Sequence, residues 1–267
     1  MPLRRFAVHV REGRDVVRNL AASGVVLAIG FGAIVLLFPR SVAFWSVGAV
    51  NTLILFAGSA ALGLLLGFFV GWGRSSGLRS ISVPLLVYVE GIRGVPRLVL
   101  VLMTAVIFPR IGLGIDWAVL WGILALGLSS GAYQAEAFRS GFQSIPRGQV
   151  EAAMSLGLTP WQTMRHVTLP RVIRTVLPPL GNEWIVILKD TSLLIVLPGI
   201  AQLRIPDVVE LTKVAATLQQ NTFDITQWPL IFMVAAIMYL AITLLVSGLI
   251  RYAEGKFRVP GLGVMAA

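Results

Sequence analysis

The sequence predicts an all-α, polytopic membrane protein with about six transmembrane helices. Three observations carry this. Of 267 residues, 57% are hydrophobic and only 13% charged, about half the charged share of an ordinary soluble domain. Uncharged runs recur that are long enough to cross a hydrocarbon core, which needs about 20 residues. The basic residues stand in the short segments between those runs. A soluble protein of this length would need a polar coat that this composition cannot supply. Inside lipid every backbone polar group must be satisfied within the chain, so each crossing is helical.

Residues 1–19 form a basic N-terminal arm with Arg4, Arg5, Arg11, Arg14 and Arg18. An uncharged run follows over 19–39 and predicts a first transmembrane helix over 20–39. It is longer than the apolar region of a cleaved leader, so it reads as a retained anchor. Residues 41–73 are again uncharged. Their first part, with Trp45 and Asn51, is expected at the outer interface, and the crossing itself over 52–72. Arg74 and Arg79 flank a Ser75-Ser76-Gly77 turn. A third crossing is expected over 83–108, a Gly-containing turn over 109–116, and a fourth crossing over 117–138. A basic segment covers 139–174. The fifth crossing is expected over 176–197, with an irregular start at Pro178, Pro179 and Gly181. Residues 199–228 read as a polar loop, 229–250 as the last crossing and 251–267 as a tail. Gly58, Gly63 and Gly67 are expected to permit close helix packing. Trp45, Trp72 and Trp117 read as interface anchors.

Six crossings put both termini on one side. Fifteen Lys and Arg fall on that side and four on the other, with three inside crossings. The positive-inside rule therefore places the termini and the 139–174 segment in the cytoplasm. The same distribution turns the net charge of +10 into membrane topology and away from nucleic acid, which would ask for a basic face on a soluble domain. The chain has no cysteine, and its two histidines, His9 and His166, are far apart. Disulfides and cysteine metal sites are excluded, and no metal-ligating cluster is visible. There is no phosphate-cradling loop and no catalytic-triad pattern. The expectation is a non-catalytic chain with no cofactor of its own.

The stretch over 145–170 has the chemistry of two short capped helices. Pro146 suits the first position of one helix and Gly157 the position just past its end. Arg147, Gly148, Gln149, Val150, Glu151, Ala152, Ala153, Met154, Ser155 and Leu156 lie between them. Thr159 suits an N-cap, Pro160 the next position, and Gln162 completes a capping box. The second helix is expected to stop near Leu169-Pro170. Val150 and Met154, like Trp161 and Met164, lie about one turn apart and give each helix an apolar edge. Two readings follow: a lid on the protein's own helices, or a unit docked against another subunit.

Glu151-Ala152-Ala153, three further residues, Gly157, nine further residues and Val167-x-Leu169-Pro170 resemble the EAA loop of bacterial ABC-importer permeases. The family usually has isoleucine where this chain has Val167. Tyr88-Val89-Glu90-Gly91-Ile92-Arg93-Gly94-Val95-Pro96 is similar to a segment of the polar amino-acid permeases. So is Ser130-Gly131-Ala132-Tyr133-Gln134-Ala135-Glu136-Ala137-Phe138-Arg139. Leu177-Pro178-Pro179-Leu180-Gly181-Asn182-Glu183, with Leu188-Lys189-Asp190-Thr191-Ser192-Leu193, resembles their fifth-span signature. The likeness covers residues 50–250.

The resemblance implies a type I ABC-importer permease-like (MetI-like) core of five helices over 40–250, to which the first helix is an addition. It implies a coupling loop at 145–170 that meets a cytoplasmic ATPase through Arg147, Val150, Glu151, Ala152, Ala153, Met154, Leu156, Gly157, Trp161 and Met164. It also implies a homodimer, or a heterodimer with a similar permease. Two ATP-binding-cassette subunits that hold the ATP and Mg, an extracytoplasmic solute-binding protein and an amino-acid substrate complete the set. The location implied is the inner membrane. Arg97 departs from the family pattern, which has an apolar residue there.

Ionisable groups inside a crossing are costly and face the interior or a water-filled path. Glu90, Arg93 and Arg97 would share one stripe of a regular helix, unless Gly94 and Pro96 interrupt it. Glu183 and Asp190, seven apart, share a face, with Asn182 and Lys189 beside it. An amino acid offers a carboxylate to an Arg fork and an ammonium to an acid. Glu90, Arg93, Arg97, Asn182, Glu183, Lys189 and Asp190 are thus candidate pathway residues. The plainer reading is that these charges pair and lock the two crossings together. An ion-coupled secondary transporter or channel for small polar solutes is the rival function, although no internal repeat is visible.

Overall fold

The computed structural model describes residues 2–112, 118–196 and 210–257, with side chains from Val17 onward except at 19, 20, 109, 118, 196 and 257. Among the described residues the chain is helical throughout, without strands. Of the expected turn over 109–116, residues 113–116 lie outside them, as do the interface residue Trp117, Arg204 and Arg258.

The first helix, α1 (Pro2–Leu37), is continuous, so the arm and the first crossing are one rod. Its apolar part packs on the last helix, α10 (Trp228–Phe257). Ile34 is buried with Val234 and Met238, and a Cβ on Gly30 would stand 3.1 Å from Ile237. The added helix therefore covers α10 from the side.

The second helix, α2 (Val42–Ser75), runs unbroken through the expected interface segment. Trp45 is not an interface anchor: it is buried against Leu211, Val214 and Ile231. The cause is a short helix, α9 (Leu211–Gln220), within what composition suggested was a polar loop. Gly48 lets α9 approach, since a Cβ there would meet Val214 at 2.5 Å. Thr52 bonds the Gly48 carbonyl and accepts from the Leu211 amide.

The expected third crossing is two helices, α3 (Arg79–Arg93) and α4 (Arg97–Arg110), bent by 102° at Gly94-Val95-Pro96. Proline lacks the amide that would continue the ladder, and the residue before it avoids helical angles. Glu90, Arg93 and Arg97 therefore do not form one helical stripe.

The fifth helix, α5 (Ala118–Gln143), packs along α2 on small residues. A Cβ on Gly63 or Gly67 would stand 2.6 Å from Gln134, and one on Gly58 2.7 Å from Ile123. Close packing at all three glycines is as the sequence predicts.

Two helices among the described residues, Pro39–Ser75 and Ile225–Lys256, are long and apolar enough to cross a membrane, or three crossings if the bent pair is one. The crossings expected over 117–138 and 176–197 correspond to α5 and the polar-faced helix α8 (Leu169–Asp190). Buried Ser129, Ser130 and Gln134 mark α5 as an interior helix whose polar groups face protein.

Candidate functional site

The 145–170 segment folds as its caps dictate. α6 (Arg147–Ser155) ends at Gly157, whose φ of +87° is the left-handed conformation that favours glycine. α7 (Pro160–Thr163) carries the full capping box between Thr159 and Gln162. Thr159→Ala is expected to cost about 1 kcal/mol locally. The check is hydrogen exchange at the Gln162 amide, faster by about fivefold, with the rest of the chain unchanged.

The chain does not stop at Leu169-Pro170. One turn of π-helix, Met164–Thr168, carries it into α8. Pro170 follows that turn directly, in the first turn of α8, and has no amide to donate back to it. Nor is the helix irregular at Pro178 and Pro179, which lie inside it. Gly181 serves packing: a Cβ there would stand 2.5 Å from Ile250 of α10.

The α6–α7 unit presents apolar groups that nothing among the described residues covers. Leu156 is 82% exposed and Trp161 65%. Met154 is also exposed, as are Arg147, Glu151, Ala152 and Gly157, while Val150 and Met164 are half-buried. Ala153 is buried and packs the unit onto its own chain. Arg171 of α8 donates to the Gln149 side chain, so α6 is tied to the helix that follows.

At the far end of α8 the charges converge. Arg97 donates one guanidinium nitrogen to Asp190 and the other to Glu183, the latter at 2.5 Å. All three side chains are largely buried, at 14%, 13% and 23% exposure for Arg97, Glu183 and Asp190. The guanidinium also lies over the Tyr133 ring of α5, 4.6 Å from its centre, and Arg93 lies 5.4 Å from the same centre. Such cation–π contacts are worth about 0.5–2 kcal/mol.

The bend between α3 and α4 creates this arrangement, because it puts Arg93 at the end of one helix and Arg97 at the start of the next, with Tyr133 between. Arg97 at a helix N-terminus and Asp190 at a helix C-terminus are each unfavourable to their own helix dipole. Pairing them offsets both costs. Of the other candidates, Glu90 is exposed and only loosely paired with Arg93, at 3.9 Å. Asn182 and Lys189 are exposed on the neighbouring face of α8. Two of the seven thus sit on the wrong side of the helix for the cluster, since residue i+6 or i−1 is displaced by about 100° from its neighbour.

Two further polar groupings have no local signal in the sequence. Arg74 at the end of α2 reaches Glu136 on α5 at 2.6 Å, and Arg139 holds the same carboxylate. Glu210 is buried, accepts from the Thr212 and Lys213 amides that open α9, and accepts from the Tyr239 hydroxyl of α10 at 2.8 Å. Glutamate is not a favoured N-cap, so nothing in its neighbours announces this role. In the turn before α10, hydrogen bonds from Thr226 and Gln227 hold the Asp224 carboxyl below the usual carboxylate range. No group of acids and histidines that could hold a metal occurs among the described residues.

Residues 63–259 match the family described as "Binding-protein-dependent transport system inner membrane component". The glutamine transport system permease protein GlnP of Escherichia coli strain K12 is 36% identical over 214 residues, covering 79% of this chain and 92% of that protein. The histidine/lysine/arginine/ornithine transport system permease protein HisQ of Salmonella typhimurium strain LT2 is 34% identical over 223 residues, with the same coverage of 79% and 92%. The crystal structure of an amino acid ABC transporter with histidines aligns with a TM-score of 0.69 at 32% identity, over 83% of this chain and 97% of that one. The MetNI methionine ABC transporter shares the fold alone, with a TM-score of 0.63 at 18% identity. By the match over its core and the likeness of these relatives, the chain belongs to the family of binding-protein-dependent transport system inner membrane components.

Proposed function

We propose that this chain is the transmembrane permease subunit of an ATP-driven importer of polar amino acids. The observation that carries the reading is the α6–α7 unit: two capped helices with exposed Leu156 and Trp161, in a family of transport components. An apolar edge left uncovered by its own chain asks for a partner. The partner is a cytoplasmic ATP-binding-cassette ATPase, one for each of two permease subunits. The termini and the 139–174 segment face the cytoplasm, and a solute-binding protein delivers the amino acid outside. ATP and Mg belong to the ATPase, and this chain does no bond chemistry. Family membership favours this over an ion-coupled transporter or channel.

The mechanism is alternating access. ATP closes the ATPase pair and moves the docked α6–α7 units. Each unit is tied through Gln149 and Arg171 to α8, and α8 carries Glu183 about 18 Å and Asp190 about 28 Å further along its axis. A push at one end is therefore delivered as a displacement of acids at the other. Arg97, Glu183 and Asp190 line the amino-acid path. Their mutual pairing closes it, and a substrate carboxylate and ammonium replace that pairing when it opens.

Because the chain has no cysteine, a Met154→Cys variant carries one thiol. It is expected to cross-link to the ATPase in inverted vesicles and to resist a membrane-impermeant maleimide added to intact cells. Labelling from outside the cell would overturn the orientation and the coupling role together. In the same system Gly157→Val is expected to abolish transport while the complex still co-purifies. A β-branched residue at positive φ costs about 1–2 kcal/mol and redirects the chain between α6 and α7.

A further inference from the structure

We propose that Arg97 is a specificity-determining residue that admits amino acids with uncharged or anionic side chains and rejects those with cationic ones. The inference rests on the reading that the Arg97–Glu183–Asp190 cluster lines the substrate path.

The cluster has its cation built in. Arg97 spends one arm of its fork on each acid, and an Arg fork loses little entropy in making such a pair. It cannot drift away, because it is the first residue of α4 beyond the bend and lies on Tyr133. Arg93 stands over the same ring. Arg97 and Arg93 thus face Glu183 and Asp190, and the formal charge of these four is zero; the third acid nearby, Glu90, is exposed and stands 3.9 Å from Arg93, outside the Arg97 fork.

A zwitterion with a neutral side chain adds no net charge to such a site: its carboxylate has two guanidinium groups to meet, and its ammonium has two carboxylates. An anionic side chain finds a second arginine. A lysine or arginine side chain finds both buried carboxylates already held by Arg97 and two like charges nearby, and like-charge juxtaposition suppresses binding strongly. Lys189, exposed on the neighbouring face, offers no compensation. The relatives' names divide on this point, with glutamine for one and histidine, lysine, arginine and ornithine for another. Overall identities of 36% and 34% do not separate the two.

The test uses the permease–ATPase complex in lipid nanodiscs without the solute-binding protein, which would impose its own selectivity. Equilibrium binding of L-glutamine, L-glutamate, L-arginine and L-lysine is read by saturation-transfer NMR and competition. Wild type is expected to bind glutamine or glutamate at least about tenfold more tightly than arginine or lysine. Arg97→Lys should keep that order. Arg97→Met, which frees both acids, should reverse it in favour of arginine, and adding Glu183→Gln and Asp190→Asn should remove the gain. If Arg97→Met does not fold, the wild-type and Arg97→Lys panels decide the matter.

Wild type binding arginine as tightly as glutamine, in a manner lost on Glu183→Gln with Asp190→Asn, would overturn the filter and leave the pathway intact. No amino-acid binding, or binding indifferent to all three positions, would overturn the pathway reading and the filter with it.

Discussion

Removing both acids, Glu183→Gln with Asp190→Asn, is expected to destabilise the protein by about 3 kcal/mol, whereas either change alone costs less than half of that. Arg97 bridges the two carboxylates, so a single change leaves it one charged partner. The double change leaves a largely buried guanidinium with only Tyr133 and neutral amides. Breaking a buried ion pair by removing one side costs about 3–5 kcal/mol, and the residual exposure of these side chains puts the value at the lower end. The losses are therefore non-additive, as expected when two residues share one partner. Thermal denaturation of the wild type, both single variants and the double variant in the same detergent reads the cycle. Additive shifts would show that Arg97 does not join the acids.

Gly71→Val is expected to be as damaging, at about 3 kcal/mol, by an unrelated route. A Cβ at Gly71 would stand 2.6 Å from the Ala135 carbonyl oxygen and 2.6 Å from Phe138 Cβ. The first is backbone inside α5 and cannot rotate away, so α2 and α5 must separate. Overpacking of a tight interface typically costs about 1–3 kcal/mol. Separation would also pull Arg74 from Glu136. Gly91→Val, where an added Cβ meets nothing within 4 Å, is the control. The yield of folded protein after extraction should fall for the first variant and change little for the second.

Much of this structure is legible in the sequence wherever the determinant is local. The Thr159–Gln162 box, the glycine ending at Gly157 and the α3–α4 break at Gly94-Val95-Pro96 all follow from a few neighbouring residues. So do the small residues along α2. What the sequence hides is set by distant partners. Trp45 has the composition of an interface anchor, but α9 arrives from residue 211 onward to bury it. Pro178, Pro179 and Gly181 have the chemistry of an irregular segment, yet α10 packs against Gly181 and the helix stays whole. The candidate charges were found as a set, but only the bend sorts Arg97, Glu183 and Asp190 from Asn182 and Lys189.

The π turn between α7 and α8 sets the angular phase of α7 relative to α8. Relative to an unbroken α-helical ladder it holds one surplus residue, and one residue is about 100° of rotation. Excising the exposed His166 would remove that surplus residue from the junction. It would swing Trp161 round the axis by roughly a quarter turn, while α8 and its acids stayed where they are. The chain would insert and assemble its charge cluster, yet offer the wrong azimuth to whatever drives it. The angular register between α7 and α8 thus depends on a single extra residue.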